Sequence, residues 1–178
     1  GDVAAHTVLL ATGISYRKLG IPGADALTGR GVFYGSAATE APACIGEEVY
    51  IVGAGNSAGQ AAMFLSRHAR RVTLLVRADS LEQSMSYYLI RQIDETPNVD
   101  VRCTTEVIAV HGDDHLEQLT LCDTRAGTQE TVRAGYLFVF IGAEPRTEWL
   151  EGVVARDAKG FVLTGADLLR DGQRPRGW

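Results

Sequence analysis

The sequence predicts an α/β fold in three layers, with a central parallel sheet and an antiparallel β-meander. An apolar strand at residues 49–52 leads through a glycine-rich turn into an alanine-rich helical pattern, and a second, almost wholly apolar strand follows at 72–76. Such strands are typical of a parallel sheet covered on both faces. Further along, alternating segments separated by turn residues indicate hairpins. Together these patterns predict a Rossmann-like domain.

The remaining elements follow from apolar spacing and turn residues. Residues 8–11 predict a short buried strand, and the glycine-rich residues 14–30 predict a loop. Asn56 or Ser57 is a candidate N-cap for the helix that follows the glycine turn. A second helix is predicted over 81–94, a third strand over 99–103, meander strands at 107–110, 116–121 and 130–132, and a long apolar strand at 136–141.

Composition excludes several classes of function. The chain has 178 residues, 46% of them hydrophobic, and a net charge of −5 with no basic stripe, so nucleic acid is not expected as a partner. No apolar run approaches the roughly 20 residues that span a bilayer, and the N-terminus lacks a signal-peptide pattern. Three cysteines without a Cys-x-x-Cys pair predict reduced structural thiols and a cytoplasmic location. The glycine-rich tail that ends at 172–178 indicates a piece of something longer.

The glycine motif at residues 53–58 is the strongest functional signal. Its first glycine allows the tight strand-to-helix turn, and its second lets the backbone approach a diphosphate. The small sixth residue lets the helix pack closely against the strand. Because a strand precedes this Gly-x-Gly-x-x-Ala and a helix follows it, the motif predicts a dinucleotide site. The candidate cofactor-binding residues are Gly53, Gly55, Asn56, Ser57 and Ala58.

The end of the second parallel strand indicates which dinucleotide binds. NAD-binding domains usually place an acid about 20 residues after the first glycine, where it accepts from the ribose 2′-hydroxyl. Here the strand ends at Arg77, whose guanidinium matches a 2′-phosphate, so NADPH is preferred over NADH. The alternative is a solvated strand-end residue, since Ala78 follows where a second cation would strengthen the case. Ser84, Ser86 and Arg91 could also reach this phosphate or simply form the polar side of a helix.

A second interpretation of the same motif is a serine hydrolase. Residues 55–59 also fit Gly-x-Ser-x-Gly, the nucleophile elbow, which needs an acid and then a histidine after the serine. Asp94 and His111 or His115 follow Ser57 in that order, but nothing else connects them with it. The two histidines lie in a predicted hairpin turn, which favours a solvated tip over a metal site.

Four segments in the same order resemble the thioredoxin-reductase-like branch of the FAD/NAD(P)-dependent pyridine nucleotide-disulfide oxidoreductases. They are residues 8–13 with 19–23, residues 31–34, residues 49–62 and residues 138–147, so the resemblance covers nearly the whole chain. In that family an NADPH domain is inserted into a larger FAD domain. The resemblance therefore implies that residues 1–30 are an N-terminal flanking segment of an FAD domain, residues 31–145 the NADPH-binding domain, and residues 146–178 a truncated C-terminal flanking segment.

The resemblance adds further site residues and partners. Ala11, Thr12 and Gly13 match a segment that passes beside the flavin, and Ile141 and Gly142 match one that lines the pyridine nucleotide. The implied partners are a nicotinamide dinucleotide, the flavin domain of the parent protein and an electron acceptor that the sequence does not identify. A homodimer is compatible with the resemblance.

Two departures from the family pattern limit what the resemblance implies. Members that reduce thioredoxin carry Cys-x-x-Cys where this chain has Gly35 and Ala38, and Cys44 does not fit the spacing. Without a thiolate pair no thiol–disulfide exchange is expected. The family's N-terminal FAD fingerprint is also missing, so FAD is expected in the complete protein only and the chain alone is expected to be inactive.

These observations predict an NADPH-binding domain of an FAD-dependent oxidoreductase that passes hydride from NADPH to flavin. The cofactors carry that chemistry, so no catalytic side chain and no metal are needed here. The alternative from another class is a catalytically silent nucleotide-binding or interaction module.

Overall fold

The computed structural model describes residues 4–35, 37–169 and 173. These residues form two compact units, a larger one over Lys18–Ile141 and a smaller one made of the segments up to Arg17 and from Gly142 on. The division into compact units falls after residues 17 and 141, whereas the predicted domain boundaries fall after residues 30 and 145. Residues 18–30 join the larger unit because Ala24 and Leu27 are buried in its core. Of the predicted tail at 172–178, only residue 173 lies among the described residues.

The described residues form ten strands and two α-helices. No helix among these residues is long and apolar enough to cross a membrane. Short 3₁₀ helices occur at Ala41–Cys44, Glu148–Leu150 and Gly165–Leu168. The main elements are β1 (Ile14–Tyr16), β2 (Val32–Tyr34), β3 (Glu48–Val52), α1 (Asn56–Leu65), β4 (Arg71–Leu75), α2 (Tyr87–Asp94), β5 (Val99–Arg102), β6 (Thr105–His111), β7 (Gln118–Asp123), β8 (Gln129–Arg133), β9 (Tyr136–Val139) and β10 (Ala143–Pro145).

The larger unit is built on a five-stranded parallel sheet in the order β2-β9-β3-β4-β5. The last of these strands along the chain, β9, lies between β2 and β3, and Phe138 pairs with both Phe33 and Ile51. A separate antiparallel sheet, β6-β7-β8, forms the predicted meander. The predicted fold class, a three-layer Rossmann-like domain with a β-meander, is therefore confirmed.

Two apolar cores cover the two faces of the parallel sheet. On one face α1 and α2 pack against β3, β4 and β9, and on the other face the meander packs against the same strands. The near-continuous apolar runs of β3 and β4 reflect this double burial. The largest fully buried side chains of the helix side are Ile51, Leu65, Leu74, Ile93 and Phe138, and those of the meander side are Leu75, Leu116, Leu119, Leu121 and Leu137.

The smaller unit contains an antiparallel pair that the sequence did not predict. Residues 14–16, predicted as loop, form β1 and pair with β10. Residues 8–11, predicted as a buried strand, are not in a strand, and Val8 and Leu9 are exposed. An apolar run becomes a buried strand only if a neighbour pairs with it, and no described strand does so here. Near β10, Thr147 and Arg156 tie the chain together through a hydrogen bond of 2.8 Å from Arg156 Nη1 to the Thr147 carbonyl oxygen.

The second helix is shorter than predicted. The helix expected over 81–94 begins only at Tyr87, because residues 81–86 turn so that Leu81 and Met85 enter the core. Within this helix Leu89 and Ile93 are buried, whereas Tyr87 and Tyr88 are exposed. The N-cap of α1 is Gly55, not Asn56 or Ser57.

Candidate functional site

The glycine motif lies at the carboxyl end of β3, where the chain turns into α1. Gly53 has a φ of 148°, and an added Cβ there would lie 2.6 Å from the Phe140 carbonyl oxygen and 3.0 Å from the Ala58 Cβ. Both its backbone conformation and its surroundings therefore require glycine. Its N–H donates to the Leu75 carbonyl oxygen at 3.2 Å, which ties the turn to β4.

The second glycine of the motif is not required by the fold. Gly55 has ordinary extended dihedrals, φ −88° and ψ 177°, and an added Cβ would lie as far as 4.0 Å from the Ser84 carbonyl oxygen across the turn. A methyl group at this position would therefore strain nothing within the described chain. The absence of a side chain here leaves the N-terminus of α1 open to an approaching ligand.

The first turn of α1 has the properties of a diphosphate site. Its N-cap makes no side-chain hydrogen bond, and the turn carries no acidic residue. The amide groups of a first helical turn have no partner within the helix, and the helix dipole makes this end positive. Ala58, fully buried, lets the turn lie directly on Gly53. Anionic oxygen ligands are the chemistry that this end of the helix accepts.

Asn56 and Ser57 occupy the first two positions of α1, and both are exposed. The Asn56 carboxamide is hydrogen bonded to Ser86, whereas no histidine among the described residues is hydrogen bonded to Ser57. His111 instead shares a hydrogen bond of 2.7 Å with Thr120. A nucleophilic serine needs a base within hydrogen-bond reach, so the structure does not assemble the hydrolase alternative. The two histidines border the turn between β6 and β7, as the hairpin interpretation predicts.

Arg77 follows the buried Val76 at the carboxyl end of β4, beside the strand that leads into the glycine motif. Its side chain is 86% exposed, and its Nε lies 4.0 Å from Glu106 Oε1. Because carboxyl ends of adjacent parallel strands share one edge of the sheet, Arg77 and the glycine motif lie on the same edge. The guanidinium group is therefore accessible to a ligand at that edge.

The other predicted site residues are divided between the two units. Ile141 belongs to the larger unit, just after Phe140, whose N–H donates to the Val52 carbonyl oxygen at 2.8 Å. Gly142 begins the second segment of the smaller unit, with a φ of 99°. Ala11, Thr12 and Gly13 also belong to the smaller unit, where the Arg146 N–H donates to the Gly13 carbonyl oxygen at 3.2 Å.

The segment at residues 84–86 borders the glycine motif more closely than the sequence suggested. Ser84 Oγ donates to the Ala54 carbonyl oxygen at 2.8 Å, and Ser86 is bonded to Asn56. Met85 packs on Gly59, where an added Cβ would lie 2.9 Å from its sulfur. The only signal in the sequence was a pair of serines with no defined partner.

The segment after β2 contains no thiol pair. Gly35 is buried with a φ of 87°, and Ala38 stands where the family pattern has its second cysteine. Cys44 is fully buried and its thiol donates to the Glu40 carbonyl oxygen at 3.4 Å. Burial, together with the nearby Glu40 and Glu47, raises the pKa of this thiol to about 11. All three cysteines are free, Cys44 buried and Cys103 and Cys122 half-buried.

Comparison with known proteins identifies the family. The family model described as pyridine nucleotide-disulphide oxidoreductase matches residues 1–168. The chain belongs to the pyridine nucleotide-disulphide oxidoreductase family. It is 37% identical over 171 residues to a thioredoxin reductase of Streptomyces clavuligerus, covering 93% of this chain and 51% of the relative. It is 33% identical over 164 residues to an NADH dehydrogenase of Bacillus subtilis, covering 89% of this chain and 31% of the relative.

A solved structure gives the same assignment. Thioredoxin reductase from Streptococcus pyogenes superposes with a TM-score of 0.78 at 26% identity, over 88% of this chain and 51% of that one. The chain thus spans about half the length of the thioredoxin reductases that it matches. The predicted membership in the thioredoxin-reductase-like branch of this oxidoreductase family is confirmed. The pyridine nucleotide in the family's name agrees with the dinucleotide site that the glycine motif predicts.

Proposed function

We propose that the chain is the NADPH-binding part of an FAD-dependent oxidoreductase. One observation carries the proposal: Gly55, a glycine that the fold does not need, stands at an open helix N-terminus shortly after Gly53, which the fold does need. A fold can explain the first glycine through sterics alone. A ligand that approaches the backbone closely accounts for the second, because Gly55 lies at the N-terminus of α1, where amide groups have no partner within the helix.

The residues present fit a dinucleotide in both shape and charge. The backbone amides of Asn56, Ser57 and Ala58 would hold the diphosphate, and the Arg77 guanidinium would pair with the 2′-phosphate. Ile141 and Gly142 would border the nicotinamide, as the family resemblance implies. When bound, the nicotinamide supplies a hydride that flavin can accept. The role of this chain is to bind and orient the hydride donor.

The flavin and the electron acceptor belong to the proposal for the complete protein. Ala11, Thr12 and Gly13 would lie beside FAD there, and the flanking segments of the smaller unit would join the FAD domain. Because Gly35 and Ala38 replace the cysteine pair, the acceptor would not be a disulfide reduced at this segment. A cytoplasmic location is proposed from the three free cysteines alone.

Titration with NADPH, followed by thermal unfolding, tests the proposal. A ligand that binds only the folded state raises its stability by RT ln(1 + [L]/Kd). Gly55→Ala should leave the free energy of unfolding close to that of the wild type and weaken NADPH about tenfold or more, because the methyl group blocks the diphosphate. Gly135→Ala is the matched control, since an added Cβ there has nothing within 4 Å.

Two results would count against the proposal. Wild-type protein that shows no shift with millimolar NADPH or NADH would reject a dinucleotide site. A Gly55→Ala variant that binds as tightly as Gly135→Ala would show that the ligand does not approach this helix. The silent-module alternative also binds NADPH, so it is separated by the complete protein: an oxidoreductase consumes NADPH when an electron acceptor is supplied, and a silent module does not.

A further inference from the structure

A pair of reciprocal hydrogen bonds joins the N-termini of the two helices. The Ser86 N–H donates to Asn56 Oδ1 at 2.7 Å, and Asn56 Nδ2 donates to Ser86 Oγ at 2.9 Å. A backbone N–H can only donate, so the first bond fixes which end of the carboxamide faces the Ser86 amide. The amide nitrogen of Asn56 is then left to donate to the Ser86 hydroxyl. We call this pair of bonds the Asn56–Ser86 clamp.

Two further contacts hold the same segment on the glycine motif. Ser84 Oγ donates to the Ala54 carbonyl oxygen at 2.8 Å. Met85 is buried against Gly59, where a side chain would meet its sulfur at 2.9 Å. Residues 84–86 are thus fixed at three successive positions to the turn and first helical residues that follow β3. Gly59, the third glycine of the motif region, therefore leaves the space that the Met85 side chain fills.

The clamp replaces a helix cap that Ser86 would be expected to make. Ser86 is the N-cap of α2, a position where serine normally accepts from an amide of its own helix. Its side chain makes no such bond and accepts from Asn56 instead. The local preference of the residue is given up for a long-range contact, and local rules are usually broken in this way at functional sites.

We infer that Asn56 is a positioning residue. Its carboxamide holds residues 84–86 beside the first turn of α1, so that this segment is already ordered before the diphosphate binds. This inference rests on the proposed function and gives the side chain of Asn56, a candidate cofactor-binding residue, a role apart from direct contact with the ligand. The carboxamide is occupied by Ser86, and the backbone amide of Asn56 is left for the ligand. A pre-organised segment raises the affinity for the dinucleotide because less of the chain must be ordered on binding.

A double-mutant cycle on the full chain tests the inference with NADPH as the probe. Asn56→Ala should weaken NADPH about tenfold and Ser86→Ala about threefold, and the double variant should be no weaker than Asn56→Ala alone. NADH should weaken by the same factors, because the clamp does not touch the 2′-phosphate. In the ligand-free protein, the Ser86 amide of Asn56→Ala should exchange hydrogen faster.

Asn98→Ala is the matched control. Asn98 Nδ2 also bridges distant backbone, donating to the carbonyl oxygens of Ser66 at 2.8 Å and Ala69 at 3.1 Å, beyond the C-terminus of α1. Its loss should lower the melting temperature without changing NADPH affinity. That readout separates a positioning role from a general loss of stability.

The outcomes distinguish this inference from the proposed function. A neutral Ser86→Ala, or losses that add in the double variant, would mean that Asn56 contacts the ligand directly and would overturn the inference alone. Unchanged exchange at Ser86 in Asn56→Ala would also overturn it. If the wild type binds neither dinucleotide, the proposed function fails and the inference fails with it.

Discussion

Two loops leave the carboxyl-terminal edge of the same parallel sheet, one after β3 and one after β2, with β9 between the strands. The loop after β3 is short, ends in the open first turn of α1 and keeps both glycines. The loop after β2 is longer, and Ala37, Ala41 and Cys44 are buried in the helix-side core. The loop after β3 thus leads into an exposed helical turn, whereas the loop after β2 is filled by its own small side chains.

The difference between the loops is a difference in chemistry. Thioredoxin-reducing members of the family are expected to carry a thiol pair after β2, where this chain has Gly35 and Ala38. The thiol that follows in the same loop, Cys44, is protonated and buried, and thiolate is the reactive form. Under the proposed function, this scaffold would therefore keep the site where hydride enters and lack the thiol pair that would pass electrons to a disulfide. The residues of one loop can differ from the family pattern while the other loop keeps it, although both loops lie at the same edge of the sheet.

The largest expected effect is at Gly53, in the loop after β3. Gly53→Ala should lower the free energy of unfolding by about 3 kcal/mol, since it combines an unfavourable φ with a clash against the Phe140 carbonyl. Urea unfolding measures the loss. Gly46→Ala has a φ of 78° and open space around it, so it should lose only about 1 kcal/mol. Equal losses would show that the loop after β3 is not sterically constrained.

Alkaline pH should test the loop after β2 next. The folded Cys44 thiol has its pKa raised to about 11 from 9.0, so the unfolded chain loses this proton first and stability falls as pH rises from about 9 to about 11. The loss should reach roughly 2 kcal/mol. Burial also raises the pKa of Tyr50 and Tyr136, so a part of the slope persists in Cys44→Ala. Identical slopes for the two proteins would contradict a buried, protonated Cys44.

A cysteine at position 35 should destabilise the folded protein, because the backbone there has a positive φ. Gly35→Cys imposes a side chain on a φ of 87° and should lower the free energy of unfolding by about 1–2 kcal/mol. Ala38→Cys, at an exposed position without a positive φ, should change it by less than about 0.5 kcal/mol. Both are measured by urea unfolding under reducing conditions. If Gly35→Cys is as stable as Ala38→Cys, the loop after β2 has kept the conformation of a thiol site.

The smallest expected effect is on dinucleotide affinity, at the sheet edge that carries the loop after β3. Arg77→Ala should weaken NADPH roughly fivefold and leave NADH nearly unchanged, because an exposed guanidinium gives a modest, screened attraction to a phosphate. Arg125→Ala, in the turn between β7 and β8, is the control. Affinity measured at two salt concentrations should show the NADPH effect shrinking as salt rises. Equal losses for both dinucleotides would remove the 2′-phosphate role.

The sequence predicted what is local and missed what depends on distant partners. The glycine motif, α1 and β4 follow one another directly along the chain, so strand, turn and helix signals were sufficient. The pairing of Ile14 with Pro145 joins segments from opposite ends of the chain and has no local pattern. The late start of α2 has the same origin, because Ser86 is held by Asn56 and Met85 by Gly59.

The candidate site shows the same division. Gly53 and Ala58 could be predicted because each answers a steric demand of one turn, and Gly55 because the motif places it at the N-terminus of the helix that follows. Arg77 could be placed by its distance from that turn, since adjacent parallel strands end at one edge. The role of Asn56 could not be predicted, because a carboxamide fits a ligand contact and a clamp equally well until its partner is known.

The position of β9 has a consequence for how the chain is made. Although β9 is the link between β2 and β3, it is synthesised long after both, and the sheet cannot join its edge strand until Val139 has left the ribosome. At about 5–20 residues per second, β2 waits several seconds with Val32 and Phe33 unpaired. A nascent chain that stalls before Tyr136 is therefore expected to leave an apolar strand edge unpaired, and unpaired edges make partly folded chains prone to aggregate.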